Sequence, residues 1–354
     1  MKIHLELSNV CNFSCSFCPK PTMVRKVGFI DSDFAKKAMD EISSLNPPIS
    51  EFFFNQMGEP LMHPQIFDLI GYALKRKLPL AFYTNGSLFS EKNIQGLIKA
   101  NMAEMNISVQ TPTEKTFPLR NAKSIDYQTY KKQIVSAVIQ IAKGAPQTKI
   151  KLCVLATGRN FLSRRFWLTK DSIHIIDTKE QAKGIISSWV KDFRAKNANV
   201  DMPSILEGLQ EASIDRNFEI KLFDNVYFTG TTFFDWNTFE DAKDPRFKKA
   251  KFGSCDGFQE QAVIHWNGSV TSCCVDYESA NSIGNLHKES LVNIFNSPKA
   301  KDFVKKLRMG VLPTPYCQIC RGSTSTKTWL SKQLGSVLFF NLKPHRQRRK
   351  KKTV

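Results

Sequence analysis

The sequence predicts an α/β fold, a parallel sheet wrapped by helices, followed by a small cysteine-rich unit. Three observations predict it. Strand-like and helix-like stretches alternate five times up to about residue 157, the pattern of a parallel sheet with right-handed crossovers. Polar motifs stand just past successive strands: CNFSCSFC at 11–18, MGEP at 57–60, TNG at 84–86 and SVQ at 108–110. In such folds the strand-to-helix loops converge at one end of the sheet, so these separated motifs are expected on a single rim. From about residue 250 the repeat gives way to a hairpin, short helices and five of the nine cysteines.

The elements follow in order. IHLELS alternates apolar and polar residues and reads as a strand, not as a signal peptide. SDFAKKAMDEISSL has an Asp/Ser start and apolar residues at helical spacing. SEFFFNQ is a short apolar strand, and HPQIFDLIGYALKRK a helix with Pro64 near its start, where a missing N–H is harmless. LPLAFYTNG, EMNISVQ and TKIKLCVLAT read as strands, with SEKNIQGLIKAN and YKKQIVSAVIQIAK as the helices between them. Residues 158–218 break the rhythm and read as partly an insertion, with a helix at EQAKGIISSWVKDFRAK; a sixth strand is expected in FEIKLFDNVYFTG. QAVIHWNGSVTSCCVD is a hairpin turning at Asn267 and Gly268. Two short helices and the Pro-rich LPTPYCQICRG loop follow. The expected division is a core over 1–235, a metal-stapled unit over 250–325 and a basic, disordered tail over 342–354.

Composition narrows the function classes. With 42% hydrophobic residues and 27 Phe among 354, the chain can bury a sizeable core. No run reaches the roughly 18 apolar residues of a membrane helix, so a cytoplasmic location is expected. Nine cysteines without an export signal point to metal or redox chemistry more than to disulfides. Cys153, alone in KIKLCVLAT, reads as a small buried hydrophobe. Part of the +19 charge lies in KPHRQRRKKKTV, which could meet nucleic acid or anionic lipid or stay solvated.

Cys11, Cys15 and Cys18 form C-x3-C-x2-C. A zinc staple wants four closed ligands, so three thiols require a remote fourth. Alternatively they hold a four-iron cluster with one iron left open to a cofactor or substrate. Both readings fit the spacing.

Placed after the first strand of an α/β chain, this motif resembles the radical S-adenosylmethionine (SAM) superfamily. The resemblance implies a partial (β/α)6 TIM-like barrel in which Cys11, Cys15 and Cys18 hold a [4Fe-4S] cluster. Its open iron takes S-adenosylmethionine, whose reductive cleavage yields a radical that removes a substrate hydrogen. It also implies a reductant such as flavodoxin or ferredoxin. Phe17 matches the family's aromatic before the third cysteine. NQMGEPLMHP is similar to the family's GGEP segment, with Met57 replacing the first glycine, so Gly58, Glu59 and Pro60 are implied at the methionyl end of the cofactor. Ser108 and Gln110 are implied at its ribose, and Asn85 is either a site residue or a turn former.

Cys255, Cys273, Cys317 and Cys320 resemble the SPASM or shortened twitch extension, which implies one auxiliary [4Fe-4S] cluster; zinc is the competing occupant. Either Cys273 or Cys274 is the ligand, and spacing favours Cys273. A saturated auxiliary cluster suits electron transfer, hence oxidation of a small sugar-like or aminocyclitol alcohol. Modification of a peptide or protein is the alternative within the class, and RNA modification a third reading through the basic tail. Outside the class stands a metal-stapled binding protein. No spacing of His, Asp or Glu designates a catalytic base.

Overall fold

Strand β1 (Lys2–Leu5) lies inside the sheet of the computed structural model, with β2 (Glu51–Phe54) on one side and β8 (Gln261–Ile264) on the other, both parallel to it. The structure describes residues 1–156, 175–214, 217–232 and 238–350, with side chains through 340 except at 232 and 238. Beyond β2 come β3 (Leu80–Thr84), β4 (Glu104–Gln110), β5 (Lys149–Ala156) and β7 (Val226–Thr232), all parallel. These six strands with their crossovers form the TIM-like partial barrel.

Between them run α1 (Ser32–Ser43), α2 (Ile66–Lys75), α3 (Glu91–Ala100) and α4 (Tyr127–Gly144). Each helix starts where the sequence supplies a reason. The Asp31 carboxylate accepts from the Asp33 and Phe34 amides, Ser90 from Asn93 and Asp126 from Thr129, satisfying amides that have no partner within the helix. One face of the central strands is fully buried: Ile3, Leu5, Phe52, Phe54, Phe82 and Ile107, which the strand register places on the same side, are essentially without exposure. Each large apolar side chain buried this way contributes about 1.5–3 kcal/mol, which fixes the strand ends that carry the polar motifs.

Three expectations gain detail from the structure. FEIKLFDNVYFTG is an antiparallel pair, β6 (Phe218–Phe223) and β7, turning at Asp224, which holds φ +38°. Helix α5 (Lys179–Ala195) is the helix expected at EQAKGIISSWVKDFRAK, and α6 (Met202–Glu211) is a second helix in the interval read as partly an insertion. Helix α5 packs on α4 through an ion pair, Lys131 to Asp192 at 2.8 Å, and the buried Trp189 donates to Pro112 O at 3.0 Å. It is therefore the crossover helix of the last barrel strand; the part of the insertion at 157–174 lies outside the described residues. Finally, the cysteine-rich hairpin is continuous with the barrel sheet. Strand β8 extends the barrel sheet, and β9 (Ser269–Thr271) and β10 (Gly284–Asn285) continue it outward.

The remaining helices are α7 (Leu291–Asn296), α8 (Pro298–Arg308), α9 (Pro315–Cys320) and α10 (Thr326–Lys350). Helix α10 runs into the segment read as a disordered tail; Leu, Lys, Gln and Arg are good helix formers despite their charge. Among the described residues no helix is long and apolar enough to cross a membrane.

Candidate active site

The loop after β1 is fastened before it reaches the cysteines. Asn9 is fully buried; its amide donates to Lys26 O at 2.9 Å and its carbonyl accepts from the Gly28 amide at 2.8 Å. Cys11, Cys15 and Cys18 follow, each partly buried. Burial pushes the Cys18 thiol up to about 12 and raises the other two, so as thiolates they require a compensating cation.

The segment after β2 is strapped to the same loop. The Glu59 amide donates to Val10 O at 2.8 Å. Gly58 sits at φ +86°, and a Cβ there would stand 2.3 Å from Ser8 O. Only glycine allows so close a backbone approach. The Glu59 carboxylate, 1% exposed, accepts from Thr84 Oγ1 (2.7 Å), the Asn85 amide (2.6 Å) and the Leu61 amide (3.1 Å). Burial raises its pKa, and these donors pull against that rise. Glu59 thus ties the second strand end to the third. Asn85 does more than shape a turn: its side-chain amide donates to Asn12 Oδ1 at 2.9 Å and lies 3.9 Å from Cys11 Sγ.

At the end of β4 the register with β5 shifts between Ser108 and Gln110, and Gln110 adopts φ +57°. A bulge of this kind re-aims side chains. Gln110 Oε1 is buried without a hydrogen-bond partner.

Cys11, Cys15, Phe17, Cys18, Gly58, Glu59, Pro60, Ser108 and Gln110 all line one cavity of about 360 Å³. Leu155 and Thr231, at the ends of β5 and β7, complete its wall. Sequence reasoning missed another lining residue, Arg120. It is 2% exposed, its guanidinium lies 4.9 Å from the Phe13 ring and 5.9 Å from that of Phe17, and its Nε has no partner. A buried guanidinium is almost always paired, so this one awaits an anion. A lone arginine in a loop leaves no spacing signal.

The donor set fits an iron–sulfur cluster with a zwitterionic cofactor. Three thiols, an unpaired cation, an unpaired amide oxygen and a glycine floor face one space. Thiolates are the ligands such clusters take.

The second array is assembled from three segments. Cys255 precedes β8, Cys273 and Cys274 follow β9, and Cys317 and Cys320 lie one turn apart on α9, whose cap Thr314 accepts from the Cys317 amide. Residues three apart share a helix face. Burial first, then Cys274, Cys320 and Cys255, push the Cys273 thiol well up, and burial raises Cys274 as well. Among the described residues no three His, Cys, Asp or Glu side chains converge tightly enough to hold a single metal ion.

Two contacts tie the array to the cavity. Gln56, a lining residue, donates from Nε2 to Cys274 O at 2.6 Å. Behind it, the buried Glu6 carboxylate accepts from both terminal nitrogens of Arg25 and lies 3.4 Å from His265 Nδ1. Arg25 Nε also donates to Tyr277 O. Burial alone would raise the Glu6 carboxyl, but His265 and Arg25 outweigh it and hold it near 2.

Comparison with known families decides what this arrangement is. The radical SAM superfamily model matches residues 5–158, and the model of an iron–sulfur cluster-binding domain, SPASM, matches 255–322. The chain belongs to the radical SAM superfamily. It is an S-adenosylmethionine-dependent radical SAM enzyme with a C-terminal SPASM-type domain, and its cofactors are iron–sulfur clusters and S-adenosylmethionine. The radical SAM chain is 23% identical to a tungsten-containing aldehyde ferredoxin oxidoreductase cofactor-modifying protein of Pyrococcus furiosus, over 84% of this chain and 81% of that one. It is 28% identical to the S-adenosyl-L-methionine-dependent 2-deoxy-scyllo-inosamine dehydrogenase of Niallia circulans, over 32% of this chain and 47% of that relative. The fold is similar to Streptococcus suis SuiB bound to its precursor peptide SuiA, with a TM-score of 0.53 at 13% identity, covering 90% of this chain and 70% of that one.

Proposed function

We propose that this radical SAM enzyme removes a hydrogen from a small, polyhydroxylated substrate bound over the strand ends and oxidises an alcohol carbon. One observation carries the reading: all three cysteines of the first array line a compact cavity whose wall, at Gln56, is bonded to the second array. A radical site with a redox group at its edge is suited to a two-electron oxidation of the substrate. When bound, the cluster and its cofactor supply the hydrogen-abstracting radical, and the auxiliary cluster supplies one-electron exchange.

The chain's own residues have these roles. Cys11, Cys15 and Cys18 hold the first cluster; Cys255, Cys273, Cys317 and Cys320 hold one auxiliary cluster. The backbone at Gly58 and Glu59 faces the methionyl amine, with Glu59 acting through the loop it fixes and Pro60 opening the turn that follows. Gln110, with its unpaired carbonyl, and Ser108 orient the ribose. Arg120 neutralises the anionic end of the site. Phe17 lines the cavity and lies beside the Arg120 guanidinium.

Similarity to an aminocyclitol dehydrogenase and, over most of the chain, to a cofactor-modifying protein favours a small molecule. Similarity of fold to a peptide-modifying enzyme keeps a peptide substrate as the second reading. The test is anaerobic turnover with dithionite and S-adenosylmethionine on deuterated cyclitols and on a peptide panel. Deuterium entering 5'-deoxyadenosine from a cyclitol carbon, with a ketone product, is the expected result. Label arriving from peptides and not from cyclitols would overturn it.

A further inference from the structure

Helix α10 (Thr326–Lys350) leaves a row of leucines exposed along its first half. The face turned to the protein is pinned by hydrogen bonds: Gln333 has no exposure and its Oε1 accepts from the Lys251 amide at 2.8 Å, Ser336 accepts from the Ser254 amide at 3.2 Å, and Trp329 Nε1 donates to Lys249 O at 2.9 Å, with the Phe340 ring beside Arg321. The face turned outward is apolar. Leu330, Leu334 and Leu338 recur every four residues, and with Phe339 they are 47, 48, 62 and 60% exposed. A helix docked for its own stability would bury those leucines. This one is pinned by other residues and presents the leucines to solvent, and contiguous exposed apolar surface marks an interaction site.

Charge narrows what covers it. After Asp302 the sequence contains no Asp or Glu and 13 Lys and Arg, seven of them in residues 343–352, a stretch that includes the C-terminal end of the helix. A stripe of leucines in line with a block of cations matches a bilayer surface, where apolar side chains enter the acyl boundary and cations meet anionic headgroups. A nucleic acid would take the cations but has no use for the leucines. The neighbouring loop adds to the patch: Gly310 lies against Val337, and Met309 and Val311 on either side of it are 68 and 46% exposed.

We propose that α10 is a peripheral membrane anchor that lies on anionic lipid surfaces without crossing them. The proposal is independent of the substrate. It is tested by sedimenting the full-length, cluster-loaded protein with vesicles of phosphatidylcholine alone, or of phosphatidylcholine and phosphatidylglycerol at about 7:3. Binding to the anionic vesicles is expected to exceed that to neutral ones by about tenfold or more and to weaken with salt. Leu334→Ser with Leu338→Ser, and separately Arg348→Glu with Arg349→Glu and Lys350→Glu, should each reduce it by about tenfold or more. Iron content should be unchanged, because neither set of changes removes a cysteine. Four results would overturn the anchor: no vesicle binding, vesicle binding that survives the leucine changes, binding to an RNA oligonucleotide in place of vesicles, or a dimer in light scattering that the leucine changes dissociate.

Discussion

The two cysteine arrays of this chain are built by opposite routes. Cys11, Cys15 and Cys18 come from a single loop and border a cavity that also holds the unpaired guanidinium of Arg120. Cys255, Cys273, Cys317 and Cys320 come from three segments that the β8–β9 hairpin and α9 bring together. An array one ligand short beside a cavity is organised for exchange with a small molecule. An array closing three segments is organised as a staple that also tolerates a change of charge. The largest expected effect separates these roles. Cys15→Ala should remove about four of about eight irons per chain and abolish 5'-deoxyadenosine formation with little loss of melting temperature. Cys317→Ala should remove the other four and lower the melting temperature markedly. The opposite pattern of melting temperatures would reverse the assignment.

Within the first region, Gly58→Ala comes next. The added Cβ meets Ser8 O at 2.3 Å and the backbone is held at φ +86°, so at least about 1–3 kcal/mol is expected to be lost. Cofactor cleavage should fall with it, because the same peptide lines the cavity bordered by Cys11, Cys15 and Cys18. Gly71→Ala on α2, where nothing lies within 4 Å, is the control and should gain up to about 1 kcal/mol. Denaturant unfolding checks both; equal effects at the two positions would show that the close approach at Gly58 is unimportant.

The difference between the regions also explains what the sequence reveals. The first array is legible because its spacing is local, and the rim because each motif follows an apolar strand. Cys317 and Cys320 are legible for the same reason. What brings them to Cys255 and Cys273 are long-range contacts that no local periodicity encodes: the Ala250 amide donates to Gln318 O, Arg321 to Ser254 O and the Tyr316 hydroxyl to Val275 O. Arg120 and Gln56 are invisible for a related reason: a single polar side chain has no period, and its meaning depends on where the cavity forms. The antiparallel β6–β7 pair reads as one strand because its turn, Asp224-Asn225, lacks a glycine.

The seam joining the regions gives a pH prediction. The ordinary value for Glu6 is 4.5, and in the fold it is held near 2 by His265 and Arg25 against the effect of burial. A depressed carboxyl contributes stability that is complete above the unfolded value and is lost as pH falls from about 4.5 toward 2. Glu6→Gln should therefore lower the melting temperature by a constant amount at neutral pH, with the gap to wild type closing as the pH drops below about 4.5. A gap independent of pH would mean that the carboxylate charge is not what the seam uses.

Arg120→Met tests the electrostatic asymmetry. Removing a buried cation beside the first array should disfavour added electrons there and lower that cluster's midpoint potential by about 60 mV, a tenfold change for one electron. The auxiliary cluster, on the far side of Gln56, should move far less. Equal shifts at both clusters, or none, would show that the guanidinium does not face the first array's charge.

The smallest effect is the most specific. Gln56→Leu removes the 2.6 Å bond to Cys274 O while keeping a side chain of similar length, so the net cost should be only about 1 kcal/mol. Iron content should stay at wild type, because neither array loses a ligand. Cofactor cleavage without substrate should also stay, because it depends on the first array alone. Substrate oxidation per cofactor cleaved should fall, because only that step needs the two regions in register. If product and 5'-deoxyadenosine instead fall together, Gln56 acts within the first cavity and the second array is a staple alone.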